Sequence, residues 1–169
     1  MTPEVDVWVG SRYADSERRV MLLGESWWGD TEPLKGAIER WARDEQADAT
    51  FSRLFNTCSG TRREQASYDE RMAFWSSIAF YNFVQGSLGA TRKSRPSSKH
   101  FQAAVPALEK VLHSLKPKGV WIVGLGQSKY SGPVLRRLNV PFEVVNHPSS
   151  GICHAKFHGS WTTLLAKVS

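Results

Sequence analysis

Short apolar runs alternate with stretches of helical periodicity along this chain. Four runs rich in Val, Ile, Leu and aromatic residues predict buried strands; they are VMLLG at 20–24, SIAFYNF at 77–83, GVWIVGLG at 119–126 and PFEVV at 141–145. Strands that alternate with helices predict an α/β fold. We therefore expect a single domain over residues 1–169, built as a three-layer α/β/α sandwich with a central four-stranded, mainly parallel sheet.

Amphipathic spacing predicts the helices between and after these strands. They cover TEPLKGAIERWARDEQ (31–46), YDERMAFW (68–75), KHFQAAVPALEKVLHSL (99–115), GPVLRRL (132–138) and HAKFHGSWTTLLAKV (154–168). Pro106 lies inside the third of these segments, and a proline removes one backbone hydrogen bond from a helix. We expect that helix to bend at Pro106 or to divide in two.

Length and composition exclude several classes of protein. The chain has 169 residues, of which 41% are hydrophobic and 22% charged, as in ordinary globular domains. No stretch reaches the roughly 20 apolar residues of a membrane span, and the acidic residues Glu4 and Asp6 do not fit a secretory signal. Two cysteines, Cys58 and Cys153, are too few for a disulfide framework or a four-cysteine site. We expect a monomeric, cytoplasmic protein that does not bind membranes.

The net charge of +6 is unevenly distributed. Residues 83–118 carry one acid, Glu109, and seven basic side chains: Arg92, Lys93, Arg95, Lys99, Lys110, Lys116 and Lys118. Clustered positive charge favours nucleic-acid phosphates, because binding releases condensed counterions. The alternative is a solvated surface that is basic without binding anything.

Polar or glycine-rich groups stand at the carboxyl end of every predicted strand. They are GESWWGD after the first, Asn82 in the second, GLGQSKY after the third and NHPSSG after the fourth. Each has a structural explanation by itself, such as a turn glycine or an asparagine that satisfies the backbone, and GLG lacks the third glycine of a dinucleotide fingerprint. Ligands of open α/β sheets bind at this edge, so together the four segments predict a site there.

The ordered set VMLLGESWW, IAFYNFV and VVNHPSSGICHAKFHGSW, spanning residues 20–161, resembles the motifs of the uracil-DNA glycosylase superfamily. Residues 95–126 are also similar to the family's segment between its middle motif and third strand. The resemblance implies a monofunctional DNA glycosylase that hydrolyses the N-glycosidic bond of a flipped-out uracil or other modified base. DNA is then the partner, and no cofactor is expected. Two alternatives are a non-catalytic nucleic-acid-binding protein on the same scaffold and a hydrolase of free nucleosides or nucleotides.

The resemblance also implies roles for single residues. Asn82 would bind the Watson–Crick edge of the extruded base, and His147 would donate a hydrogen bond to the base as it leaves with negative charge. The loop after His147 would bind DNA through the backbone amides of Ser149, Ser150 and Gly151, while Ile152 wedges into the vacated stack. Further predicted DNA contacts are Arg92, Lys93 and Arg95.

The first motif departs from the family. Familiar members place an aspartate and then a proline where this chain has Ser26 and Trp27. Glu25 matches a glutamate found in some branches and is our first candidate for the catalytic acid. Asp30 is the second, although it can also cap the following helix. A water held by Ser26 or by backbone groups, or no catalysis, remains the alternative. Gly24, Ser26 and Trp27 are predicted to contact the substrate.

A flipped base also needs an aromatic stacking face. The segment LFNTCSG resembles the family loop that supplies a phenylalanine, so Phe55 is the first candidate and Phe51 the second; either can instead be a core residue. Trp27 or Trp28 is expected to line the pocket. Cys153, His154 and His158 imitate a metal site, but no fourth ligand is evident, and we predict no metal and no iron–sulfur cluster.

Overall fold

The computed structural model describes residues 5–27, 32–89, 94–150 and 154–169, except for the side chain of Ser87. This part of the chain forms a five-stranded sheet of order β1-β3-β2-β4-β5. The strands are β1 (Val7–Val9), β2 (Val20–Trp27), β3 (Ala79–Ser87), β4 (Gly119–Val123) and β5 (Phe142–Val145). Strands β2 to β5 are parallel, and β1 pairs antiparallel with β3. The mainly parallel α/β sheet is confirmed.

The predicted count of four strands was too low. Strand β1 contains only three residues, and it lies at the edge of the sheet, where it pairs with β3 alone. A run of this length is too short to show the period-2 alternation on which strand prediction depends.

Six helices are described. They are α1 (Leu34–Ala42), α2 (Ala49–Ser59), α3 (Tyr68–Ser77), α4 (Ser98–Leu115), α5 (Leu125–Arg137) and α6 (His154–Lys167), with 3₁₀ turns at Arg63–Gln65 and Pro148–Ser150. Helix α5 begins at Leu125 rather than at the predicted Gly132, so residues 125–130 form its first turns. None of the described helices is long and apolar enough to cross a membrane.

Helix α4 continues through Pro106 as one helix, so of the two expected outcomes, a bend or a division in two, the division was wrong. Pro106 is exposed, so its ring does not interrupt the packing of the helix on the sheet. Residues on both sides of it, Phe101 and Leu108 among them, are buried in the same hydrophobic cluster. This packing stabilises the helix despite the missing hydrogen bond.

Helices pack on both faces of the sheet. One hydrophobic cluster combines residues of α1, α2, α3 and α6 with sheet residues such as Leu22, Phe80 and Trp121. The other combines α4 and α5 with sheet residues such as Met21 and Ile122. Successive strand residues point to opposite faces, so neighbouring positions on β2 and β4 enter different clusters.

Helix α2 was not predicted, although its signals are present in the sequence. The Asp48 carboxylate accepts a hydrogen bond from the Phe51 backbone N–H at 2.8 Å and caps the helix. Buried residues follow at Phe51, Leu54 and Phe55, which is helical spacing, and Gly60 ends the helix with a φ of 73°. The family resemblance had favoured a loop here. The helix matters because it brings Arg53 close to the turn that follows β5.

Strands β2 and β3 extend beyond β4 at the carboxyl edge of the sheet. The pairing of β2 with β4 ends at Leu23–Ile122, whereas its pairing with β3 continues through Gly24–Asn82 to Trp27–Ser87. The register shifts between Ser26 and Trp27, and the strand opposite contains Gly86 with a φ of 81°, a conformation that favours glycine. The predicted site residues of both strands lie on this two-stranded extension.

Candidate functional site

The carboxamide of Asn82 lies directly against the backbone of Gly24. A Cβ atom added at Gly24 would be 2.3 Å from Asn82 Oδ1 and 3.1 Å from Phe80 Cζ. Asn82 is 7% exposed, and no residue in the described ranges hydrogen-bonds to its carboxamide. A glycine at position 24 therefore allows a close approach that no other residue permits. It leaves a buried amide with unused donors and acceptors at the carboxyl edge.

The end of β3 is tied to the segment that precedes β1. Gln85 Nε2 donates to the Asn82 carbonyl oxygen at 2.6 Å, and Gln85 Oε1 accepts from the Asp6 N–H at 2.9 Å. The Asp6 carboxylate in turn accepts from the Leu34 N–H, the first residue of α1. These bonds satisfy a helix N-terminus from a distant residue, and they hold the backbone around Asn82 in place.

Aromatic rings line the same face of the sheet next to Asn82. The centroids of Trp27 and Phe51 are 6.1 Å apart, and those of Phe51 and Phe80 are 5.9 Å apart. Trp27 is half-buried and so remains accessible, whereas Phe51 is almost fully buried. Trp27 is thus the ring in this wall that a planar ligand can reach.

Phe55, the first candidate for base stacking, occupies a different position. Its ring lies between Trp41 and Phe74, each with a centroid distance of 5.6 Å, and it is 1% exposed. This position favours the alternative that Phe55 is a core residue, and the stacking role moves to Trp27.

The turn after β5 fixes the tautomer of His147. The Ser149 N–H donates to His147 Nδ1 at 3.2 Å, and the Ser149 hydroxyl lies 2.7 Å from the same nitrogen. A backbone N–H can only donate, so Nδ1 is unprotonated and the proton of the neutral ring is on Nε2. The imidazole therefore offers a hydrogen-bond donor at Nε2.

The surroundings of His147 also keep its ring neutral. Burial lowers the pKa of His147 below its usual value, and the positive charges of Arg95 and Arg53 lower it further. Burial penalises the charged imidazolium, and nearby cations repel it. At neutral pH the ring is a neutral donor rather than a cation.

Ser149 and Ser150 are used to hold this turn. The Ser150 hydroxyl and N–H both donate to the His147 carbonyl oxygen, at 2.6 and 2.9 Å. The hydroxyl and amide of Ser149 both contact the ring of His147. Both serines thus position the imidazole, and their predicted contact with DNA phosphates stays a prediction.

Glu25 lies on the other face of β2 from the Asn82 carboxamide, toward the start of α5. A Cβ atom at Gly124 would be 2.9 Å from Glu25 Oε2, and Arg95 Nη1 is 4.0 Å from Glu25 Oε1. The carboxylate side chain is 12% exposed. Burial raises the pKa of Glu25, and the charge of Arg95 partly offsets the rise. A carboxylate with a raised pKa next to a cation is suited to accept a proton.

The structure brings the predicted site residues together as two groups. Asn82, Gly24 and Trp27 form one group on β2 and β3, while Glu25, Arg95 and the neutral His147 form a second group nearer β5. Strands β3 and β5 are three strand spacings apart, about 14 Å between axes, so one base can contact both Asn82 and His147 only if the two side chains reach toward each other over β2 and β4. Ser26 is half-buried between them. Asp30, Arg92, Lys93, Gly151 and Ile152 lie outside the described residues.

Sequence reasoning missed two residues near this edge. Gln127 is fully buried, and its Nε2 donates to the carbonyl oxygens of Leu23 and Val123 at 3.0 and 3.1 Å, where β2 and β4 separate. No helix had been predicted for the segment that contains it. Arg53 was missed because helix α2, on which it lies, was not predicted. The helical spacing of the buried residues Phe51, Leu54 and Phe55 was the signal that could have located it.

Within the described ranges, no three His, Cys, Asp or Glu side chains gather as a metal site. His154 and His158 do share a face of α6, with ring centroids 6.5 Å apart, while Cys153 lies outside the described residues.

A scan against protein-family models finds no match for this chain, and a search of the curated proteins finds none either.

Proposed function

We propose that this protein is a monofunctional DNA glycosylase, a divergent member of the uracil-DNA glycosylase superfamily with a three-layer α/β/α sandwich. Its substrate would be a flipped-out uracil or another deaminated or modified base in DNA. The observation that carries the proposal is that a buried Asn82 carboxamide and a neutral His147 with its proton on Nε2 both stand at the carboxyl edge of one parallel sheet. The order of the three motifs along the chain supports the same function.

Each group has a role in breaking the bond between base and sugar. The base leaves with negative charge, and His147 Nε2–H donates a hydrogen bond to the base oxygen on which that charge grows. The Asn82 carboxamide pairs with the Watson–Crick edge of a pyrimidine, and Trp27 offers it a stacking face. The aromatic wall beside Asn82 excludes water from this pairing.

Glu25 acts on the sugar side. Its carboxylate takes one proton from the attacking water as the water oxygen bonds to the anomeric carbon and the bond from that carbon to the base nitrogen breaks. The base leaves as an anion and takes a proton from solvent water, and Glu25 then returns its proton to solvent. Before that, the negative charge of Glu25 stabilises the oxocarbenium-like sugar. Arg95 holds the carboxylate at the rim. The basic surface contributes binding to DNA phosphates.

The test is a panel of oligonucleotides that carry uracil or other modified bases, scored for alkali-labile abasic sites. Wild type should cleave at least one of them, and His147→Ala should slow the reaction by about 10²-fold or more, because one transition-state donor is lost. His113→Ala, an exposed histidine at the other end of the sheet, is the matched control and should leave the rate unchanged.

Intact oligonucleotides across the whole panel would contradict the proposal. DNA binding that weakens with salt but leaves no abasic sites would instead identify a non-catalytic binding protein. Cleavage of free nucleosides without action on DNA would identify a nucleoside hydrolase.

A further inference from the structure

A cavity next to the His147 turn has no role in the reaction described above. Its volume is about 180 Å³, room for about six water molecules. It lies between α2, the 3₁₀ turn after β5 and the first turn of α6. Its described lining residues are Arg53, Asn56, Thr57, Pro148, His154 and Phe157.

The polar groups of this cavity are hydrogen-bond donors. Asn56 Oδ1 already accepts the Arg63 N–H at 2.8 Å, which uses one of its two lone pairs, while the Asn56 NH₂ group can donate into the cavity. Thr57 is 2% exposed, and no described residue hydrogen-bonds to its hydroxyl. Arg53 forms no ion pair in the described part of the chain, and none of the described lining residues is acidic. A donor-rich cavity with an uncompensated guanidinium favours an anion.

The start of α6 also favours an anion in this cavity. His154 is the first residue of this 14-residue helix, and both His154 and Phe157 line the cavity. The first N–H groups of a helix lack intrahelical acceptors, and the helix dipole is positive at this end. The buried Thr57 side chain and the helix N-terminus are thus two independent groups that line one cavity.

We propose that this cavity binds a phosphate group, with Arg53 as the principal ligand and Thr57, Asn56 and His154 as further donors. Given the proposed function, on which this identification rests, the phosphate belongs to the DNA backbone next to the extruded nucleotide. Pro148 of the lining directly follows His147 in the chain, so a phosphate held here anchors the strand beside the leaving-group donor. The cavity would set the register of the DNA, since phosphate contacts position a duplex without reading its sequence.

The first experiment measures DNA binding. The probe is a duplex oligonucleotide with an uncleavable abasic analogue, titrated by fluorescence anisotropy at several salt concentrations. Arg53→Ala should weaken binding about tenfold and reduce the salt slope by about 1, the loss of one phosphate contact. The control is Arg18→Ala, which removes an equal charge from an exposed position before β2, at the opposite edge of the sheet; it should change neither quantity appreciably.

The second experiment tests the anion without DNA. Inorganic phosphate is titrated into the protein while the imidazole signals of His154 are followed by NMR. The signals should move in the wild type, and Arg53→Ala should abolish the movement. Thr57→Val removes only the hydroxyl and should weaken the response while the fold is retained.

The outcomes separate this proposal from the proposed function. Equal effects of Arg53→Ala and Arg18→Ala on DNA binding, together with His154 signals that ignore phosphate, would overturn the site. A response to phosphate with unchanged DNA binding would overturn the DNA assignment and identify a site for a free phosphate. A protein that binds DNA through Arg53 but forms no abasic sites would refute the glycosylase and leave the phosphate site intact.

Discussion

The Asn82 and His147 sides of the carboxyl edge are built in different ways. Asn82 is buried, and the register of β2 with β3 and the close approach to Gly24 determine its place. His147 stands on a short turn that two serines hold locally, and burial, with a further contribution from exposed arginines on other elements, lowers its pKa. Substitutions on the first side should therefore change geometry or stability. Substitutions around the second should change protonation or binding while the fold is kept.

The largest effect is expected in the aromatic core of the Asn82 side. Phe55→Ala should lower the free energy of unfolding by about 3 to 5 kcal/mol, because it leaves a cavity between Trp41 and Phe74. Urea denaturation measures this change in the free energy of unfolding.

Trp27→Ala, at a half-buried position, should lower the free energy of unfolding less than Phe55→Ala does. It should instead slow base excision roughly tenfold, because one stacking face for the base is lost. If Phe55→Ala were stable and inactive, Phe55 would be the stacking residue after all.

A sharper test of geometry is Gly24→Ala. The new methyl group would overlap Asn82 Oδ1, and a side-chain amide can rotate away at little cost to folding. We expect the protein to fold and excision to fall at least tenfold, because the carboxamide no longer faces the base. Glycosylase rate, circular dichroism and the side-chain amide signals of Asn82 report these changes.

Gly159→Ala is the control for this substitution. A Cβ atom at Gly159, inside α6, would meet nothing within 4 Å, and alanine favours a helix. Activity should be unchanged and stability equal or slightly higher. An equal loss of activity in both variants would contradict the proposed contact between Gly24 and Asn82.

The smallest effect is expected from Arg95→Ala, on the charged side. The Arg95 charge lowers the pKa of both Glu25 and His147, so its removal should raise both. The reaction needs an ionised Glu25 and a neutral His147, and both conditions are lost as the pH falls. The acid limb of the pH–rate profile should therefore move to higher pH in Arg95→Ala. Arg18→Ala should leave the acid limb at its wild-type pH. High salt should reduce the pH difference between Arg95→Ala and wild type, because salt screens the Arg95 charge.

If the acid limb of the pH–rate profile moved to lower pH in Arg95→Ala, the proposed effect of the Arg95 charge on Glu25 and His147 would be contradicted. The imidazole signals of His147, followed by NMR through the same pH range, would show whether its protonation accounts for the change.

Helical spacing and apolar runs were enough to locate the four parallel strands and five of the six helices. This information is local, since a period of 2 or 3.6 residues is complete within one element. The sixth helix, α2, was encoded equally clearly by Asp48, the apolar spacing after it and Gly60. Strand β1 was not encoded as clearly, because three residues at the edge of a sheet are too few to show a period of 2.

The composition of the site was visible in the sequence because strand ends of a parallel sheet share one edge. Its geometry was decided only by the tertiary structure. Whether Phe55 or Trp27 faces a ligand depends on the packing of α2 on the sheet. The pKa of His147 is lowered first by burial and then by Arg95 and Arg53, which lie 52 and 94 positions earlier in the chain. Such long-range contacts result from many weak packing interactions between residues that are distant in the sequence. A short segment of sequence therefore does not determine them.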